Sequence, residues 1–305
     1  MRRIEILVAA CIVALLATSS IGWAAAEDEN ESYVYILEPD AKEDLINFVN
    51  EAKDFVLDHG KDRAIEVFND PNGEFVRGEL YIIAYDFNGT RLANPYKSEK
   101  IGENALNVTD SNGVAQVRNM LDIAGRGGGF TYYIWPNPAN SSVEELKLTY
   151  VLKVDEGLVL ASGMYLPGSA PIFSNGSRED LVAFVENARD FALTHTKDES
   201  LKAFNDRNGE FVKGDRYIFA NDFEGVRLAM PLYPDQIGTK MNQDQDPNGV
   251  YVIQEFSDTA KRGEGFVYGI LPDPAENWTP ELKLVYVTKV NDEWLLGSGL
   301  YWPED

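Results

Sequence analysis

Tyr81-Ile82-Ile83-Ala84-Tyr85-Asp86-Phe87-Asn88-Gly89-Thr90-Arg91-Leu92-Ala93 reads as two short strands joined by a tight turn. β-branched and aromatic residues fill the runs, and Asp-x-x-Gly sits between them. The stretch is written again as Tyr217-Ile218-Phe219-Ala220-Asn221-Asp222-Phe223-Glu224-Gly225-Val226-Arg227-Leu228-Ala229, at an offset of 136 (217 − 81). Worked outward from there, the offset holds without a gap from 43–167 to 179–303, and about half of the aligned positions are identical. A period this long is a whole domain rather than a solenoid repeat. Identities between the copies mark what the fold needs, and differences mark where the copies can have parted in function.

Each copy opens on a helical stripe: Leu45, Phe48, Val49, Ala52, Phe55, Val56 and His59, then Leu181, Phe184, Val185, Ala188, Phe191, Ala192 and His195. The spacing predicts one helix ending near Phe68 or Phe204, with the two histidines in the core, and Ser177 with Asp180 reads as a capping box. The hairpin follows. After Asp110-Ser111-Asn112-Gly113 and Asp246-Pro247-Asn248-Gly249, which read as turns, comes a shorter helix with Val114, Val117, Leu121 and Ala124 on its apolar face. Three strands finish the unit: 130–135, 146–154 and 158–165. Helix, hairpin, helix and meander make an α+β domain on an antiparallel sheet.

Composition narrows the functional classes. The net charge of −23 argues against nucleic acid and against an anionic membrane surface as partners. Arg2 and Arg3 precede an apolar run, Ile6 to Ile21, and Ala24-Ala25-Ala26 supplies a cleavage site, so residues 1–26 read as an export signal or an uncleaved anchor. The single cysteine, Cys11, falls inside it, so the exported chain is expected to have no disulfide. Five Asn-x-Ser/Thr tripeptides (at Asn88, Asn107, Asn140, Asn175 and Asn277) suit an extracellular or periplasmic surface. The expected organisation is a signal (1–26), a first domain (27–167), a linker (168–178) and a second domain (179–305).

The motif series carries a resemblance. Tyr-Ile-x-Ala-x-Asp-Phe-x-Gly-x-Arg-Leu-Ala, then Asp-x-Asn-Gly, Gly-Phe-x-Tyr, Glu-Leu-Lys-Leu-x-Tyr-Val and Gly-x-Tyr, is similar to single-Cache extracellular sensor domains over nearly all of both copies. The resemblance implies two tandem PAS-like domains, each a long N-terminal helix across a five-stranded antiparallel sheet, with a small-molecule pocket over the other face. It implies a small organic metabolite, a carboxylate among the candidates, as ligand. No output domain follows Pro303, so signalling is expected to go through a partner, a membrane receptor or a kinase. The alternative is a surface spacer or adhesion protein.

No constellation for catalysis, metal or cofactor stands out: the chain has two histidines, one per copy, no nucleophile elbow and no phosphate loop. For a binding pocket, period two on the strand at 130–135 puts Thr131, Tyr133 and Trp135 on one face. Their counterparts are Val267, Gly269 and Leu271, whereas Phe130, Tyr132 and Ile134 recur unchanged. Tyr133 and Trp135 are therefore candidate ligand contacts, and the first copy is the expected binder, the second being wider, empty or differently selective. Lys147 and Lys283, retained in an acidic chain with Tyr150 and Tyr286 three residues on, are candidates for pairing a ligand carboxylate. Tyr81 and Tyr217 are candidates for the pocket floor. Arg91 and Arg227 are expected to pair with Asp86 and Asp222.

Overall fold

The computed structural model describes residues 35–303; the export-signal reading lies outside them. The first copy runs α1 (Pro39–His59), α2 (Lys61–Phe68), β1 (Val76–Arg77), β2 (Leu80–Tyr81), β3 (Ile83–Tyr85), β4 (Arg91–Ala93), α3 (Gln116–Gly125), β5 (Gly128–Asn137), β6 (Val143–Asp155) and β7 (Leu158–Tyr165). The second repeats it as α4 (Asn175–Thr194), α5 (Lys197–Phe204), β8 (Val212–Lys213), β9 (Arg216–Tyr217), β10 (Phe219–Asp222), β11 (Arg227–Ala229), α6 (Val252–Lys261), β12 (Glu264–Asp273), β13 (Thr279–Lys289) and β14 (Trp294–Tyr301). Both sheets are five-stranded and antiparallel, in the orders β4-β3-β7-β6-β5 and β11-β10-β14-β13-β12.

The long helix buries Leu45, Phe48, Val49, Ala52 and Val56 on the sheet face made by Ile82, Ala84, Leu158 and Leu160. Tyr81, Ile83, Tyr133, Val151 and Ala161 project from the opposite face and meet α3. Alternation along the strands sends successive residues to these two layers. The helix stops at Gly60, whose φ of +83° ends it before α2 begins, so the predicted single helix is two. His59 and His195 are exposed, contrary to the expectation that they sit in the core. Each stacks on the phenylalanine one turn earlier, Phe55 or Phe191, with Nδ1 on that residue's carbonyl. They finish helices rather than pack cores.

The capping reading also needs correction. The cap of α4 is Ser174, whose Oγ accepts the Ser177 amide, so the helix starts inside the expected linker and Ser177 is its third residue. The capping box of this region is Thr196 with Glu199, at α5.

The two copies face each other with reciprocal contacts, the pattern of a two-fold interface. Arg126 pairs with Asp258, and its counterpart Arg262 pairs with Asp122. Asn112 donates to Pro171 O (2.6 Å) and accepts from the Phe173 amide (3.0 Å), holding the segment that enters α4. Asn248 does the same for the segment that enters α1, through Tyr35 O (2.6 Å) and the Leu37 amide (2.8 Å). Tyr132 donates to Asp246 at 2.8 Å, and Asn112 donates to the Tyr268 hydroxyl at 2.7 Å. Phe130 lies against Gly249 and Phe266 against Gly113, two glycines at φ +91° where a Cβ would meet the ring at 3.4 and 3.2 Å. The unchanged Phe-x-Tyr of β5 and β12 thus serves the sister domain as well as its own core.

Candidate functional site

On the α6 side of the second sheet lies a cavity of about 290 Å³, lined by Tyr217, Arg227, Leu271, Lys283 and Tyr301 among others. The corresponding space in the first copy, between Tyr81, Met120, Tyr133 and Trp135, is about 10 Å³. The expectation that the first copy carries the pocket is at odds with these volumes. Its cause is a pair of exchanges on β5 and β12. Tyr133 sits directly across from Lys147 in the ladder and is buried, with Trp135 edge-on to it at 6.1 Å. In the second copy the partner of Lys283 is Gly269, and Leu271 replaces the indole. The aromatics that suggested a binding wall fill the space they were expected to line. Part of the volume released at Gly269 is taken by Val252, which stands where the first copy has Gln116; a Cβ on Gly269 would meet its Cγ1 at 2.7 Å. The rest is the cavity.

Lys147 and Lys283 are both buried. Lys147 Nζ lies 4.0 Å from the Tyr81 ring centre and 4.5 Å from that of Tyr165, and donates to the Tyr165 hydroxyl at 3.5 Å. Lys283 Nζ lies 4.7 Å from the Tyr217 ring and 4.0 Å from that of Tyr301. Cation–π attraction offsets part of the cost of removing an ammonium from water. Burial still pulls both lysines down to about 7, with Glu79 opposing the shift at Lys147 and Asp215 and Asp273 opposing it at Lys283. Tyr217 forms part of the cavity wall and Tyr81 part of the small first-copy space, as their strand positions suggested.

Tyr150 and Tyr286 do not belong with the lysines. Three residues along a strand is an odd step, so they point to the other face of the sheet. There Tyr150 packs with Phe130 (5.0 Å) and Tyr286 with Phe266 (5.1 Å), on the side of the long helices.

Arg227 is the residue that the sequence reading misplaced. It was expected to pair with Asp222, but Asp222 Oδ1 accepts amides of its own turn, Glu224 and Val226. Asp86 likewise serves Asn88 and Thr90, and Arg91 reaches the Lys100 carbonyl (3.5 Å) instead. Arg227 is buried beneath the cavity with only thioethers as acceptors, Met230 Sδ at 3.7 Å and Met241 Sδ at 3.4 Å, and its Nε has no partner. Burial pulls it down to about 10, against the influence of Tyr217 and Asp244. Among the described residues no carboxylate lies within ion-pair distance of Lys283 or Arg227. Asp246, which also borders the cavity, is occupied by the amides of Asn248, Val250 and Ile270 and by Tyr132. The signal for Arg227 was available: an arginine kept in both copies of an acidic chain, beside a turn whose aspartate already has amides to accept.

Among the described residues no group of histidine, cysteine, aspartate and glutamate could hold a metal ion, and no helix is long and apolar enough to cross a membrane. Over 87 residues, 28% of this chain, the sequence is 31% identical to the sensor histidine kinase MctS of Rhizobium johnstonii, and the match spans 19% of that relative's length. A methyl-accepting chemotaxis protein from Vibrio parahaemolyticus RIMD 2210633 is similar at 24% identity over 41% of this chain and 88% of that one, with a TM-score of 0.38. A structure described as showing carboxylic acid recognition by a Cache chemosensory domain is similar at 25% identity over 42% and 95%, with a TM-score of 0.36. Residues 40–167 match the family described as single Cache domain 2, and residues 192–304 match the family described as Cache domain. The chain belongs to the Cache family of non-catalytic sensor domains, of which it carries two in tandem.

Proposed function

We propose that this chain is an exported ligand-sensing module whose second Cache domain binds a small organic carboxylate and whose occupancy is read by a membrane receptor or kinase. The observation that carries the reading is the pair of buried cations, Lys283 and Arg227, at one cavity with no carboxylate of the described residues within ion-pair distance of either. A buried charge without a partner is costly, and a ligand carboxylate would relieve it with charge-assisted hydrogen bonds. In a chain of net charge −23, an anion is repelled at long range, so its site needs local cations of this kind. A cavity of about 290 Å³ suits a ligand of a few carbon atoms, with Tyr217, Leu271 and Tyr301 as its apolar and aromatic wall. Lys147 and its tyrosines would then be the filled, structural version of the same site. The partner reading draws on the sensor histidine kinase relative, of which this chain spans only a small part.

The test is a melting-temperature screen of the protein with short mono- and dicarboxylates, amino acids and amines. A ligand bound only by the folded state at a hundredfold excess over its Kd adds about 2.7 kcal/mol. Lys283→Met should weaken the best carboxylate by about 1.5–3 kcal/mol, the scale of a hydrogen bond to a charged group. Lys147→Met should leave it unchanged. Equal losses from the two variants, or a screen answered by amines alone, would overturn the reading.

A further inference from the structure

A second cavity, of about 350 Å³, opens between the two domains, beside the α3–α6 contact and away from Lys283. Its walls come from both copies: Arg126 and Phe130 from the first, Gln243, Tyr251, Gln254 and Glu255 from the second. Glu255 is 5% exposed. Its Oε2 accepts from the Thr131 hydroxyl at 3.2 Å, and its Oε1 has no hydrogen-bond partner. Arg126 pairs with Asp258 and acts on Glu255 only as a longer-range charge, with no hydrogen bond or ion pair between the two.

The site breaks the interface's two-fold pattern. The counterpart of Glu255 is Asn119, a neutral amide whose Oδ1 accepts from Arg262 at 2.9 Å. The counterparts of Gln254 and Gln243 are Arg118 and Asn107, joined by a hydrogen bond of 2.7 Å. Where the first copy supplies a cation tied to its neighbour, the second supplies two uncharged amides and a carboxylate. The two halves of one interface have diverged from a self-satisfied arrangement to one in which a buried carboxyl oxygen has no hydrogen-bond partner.

We propose that this interdomain cavity is a binding site for a small primary ammonium ion. The unpartnered carboxylate oxygen calls for a cationic N–H donor. Phe130 and Tyr251 put aromatic rings in the cavity wall, and Gln243 adds an amide. A single spare carboxylate sets the ligand charge at +1, and the acidic surroundings concentrate cations. Burial holds Glu255 up at about 8, Arg126 opposing the shift, Asp246 adding to it and the Thr131 hydrogen bond opposing it. At pH 7 the empty site is therefore protonated, and a bound ammonium displaces that proton.

Ethylammonium is the probe, with tetramethylammonium, ethanol and sodium chloride as controls, by isothermal titration of the whole protein. Saturable binding of ethylammonium alone is expected, with close to one proton released at pH 7 and none at pH 9, read from two buffers of different ionisation heat. Glu255→Gln should weaken binding at least tenfold and abolish the proton release, while leaving carboxylate binding at Lys283 unchanged. Gln254→Arg, which restores the residue of the sister copy, should act alike and covers the case in which the first variant does not fold. Unchanged affinity in either variant, equal binding of tetramethylammonium, or no saturation by ethylammonium would overturn the proposal.

Discussion

Three buried groups contribute to the protein's pH dependence, and their signs differ. Lys147 and Lys283 fall from the ordinary 10.5 to about 7, so between pH 7 and 10.5 the unfolded chain binds protons that the folded one does not. Stability contributed by each therefore rises with pH across that window, by at most about 1.4 kcal/mol per pH unit per lysine. Glu255 rises from 4.5 to about 8, so its contribution is present at low pH and is lost as pH climbs from 4.5 to 8. Denaturant unfolding from pH 5 to 10 should show the upper slope reduced in Lys147→Met and the lower slope reduced in Glu255→Gln; unaltered slopes would refute the assignment. Ligand affinity follows the same rule: a carboxylate at Lys283 should bind with constant affinity from pH 5 to 7 and about tenfold more weakly per unit above it, as measured by titration. The retention of both lysines in an acidic chain was legible in the sequence. Their degree of burial was not, because burial depends on Tyr81, Tyr165, Tyr217 and Tyr301 arriving from other strands.

At the scale of elements, the decisive contrast is between β5 and β12. Tyr133→Ala should convert the filled first domain into one with a cavity, at a cost of about 3 kcal/mol or more by chemical unfolding. Gly269→Ala should destabilise the second domain by about 1–3 kcal/mol, because its Cβ meets Val252, and Val252→Ala should recover most of the loss. If Gly269→Ala proves neutral on its own, the explanation of the glycine fails. The order of helices and strands was readable because strand and helix periods are strong and each copy repeats the other. Which copy has room was not, since periodicity assigns Tyr133 to a face but says nothing of whether its ring lines a space or occupies it. The pairing of Lys147 with Tyr150 failed for a simpler reason, the odd step along β6, which the strand period already forbids. His59 and His195 matched the helical stripe yet lie in its last turn, where the core has ended and the ring caps a carbonyl instead.

For the whole molecule, the contacts invisible to the sequence are those between the copies. Asp-x-Asn-Gly reads as a turn, and each one is: Asp110 and Asp246 accept the amides of their own loops. Nothing local announces that Asn112 and Asn248 also clasp the segment leading into the sister's long helix. Asn112→Ala or Asn248→Ala orphans a buried amide and carbonyl and should cost about 1–3 kcal/mol in thermal unfolding, with the larger effect on the domain whose helix is released. The reciprocal Arg126–Asp258 and Arg262–Asp122 pairs complete an interface of the kind that ordinarily joins two identical subunits. Here both partners are on one chain, the nine residues 166–174 separating β7 from α4. Tethering fixes the effective concentration of one domain for the other at a high value that no dilution changes. An assembly of separate subunits falls apart as its abundance drops, and its response then reports copy number as well as stimulus. In this protein the pairing is independent of abundance, so a receptor or kinase reading it would receive the same two-domain surface from a scarce molecule as from a plentiful one.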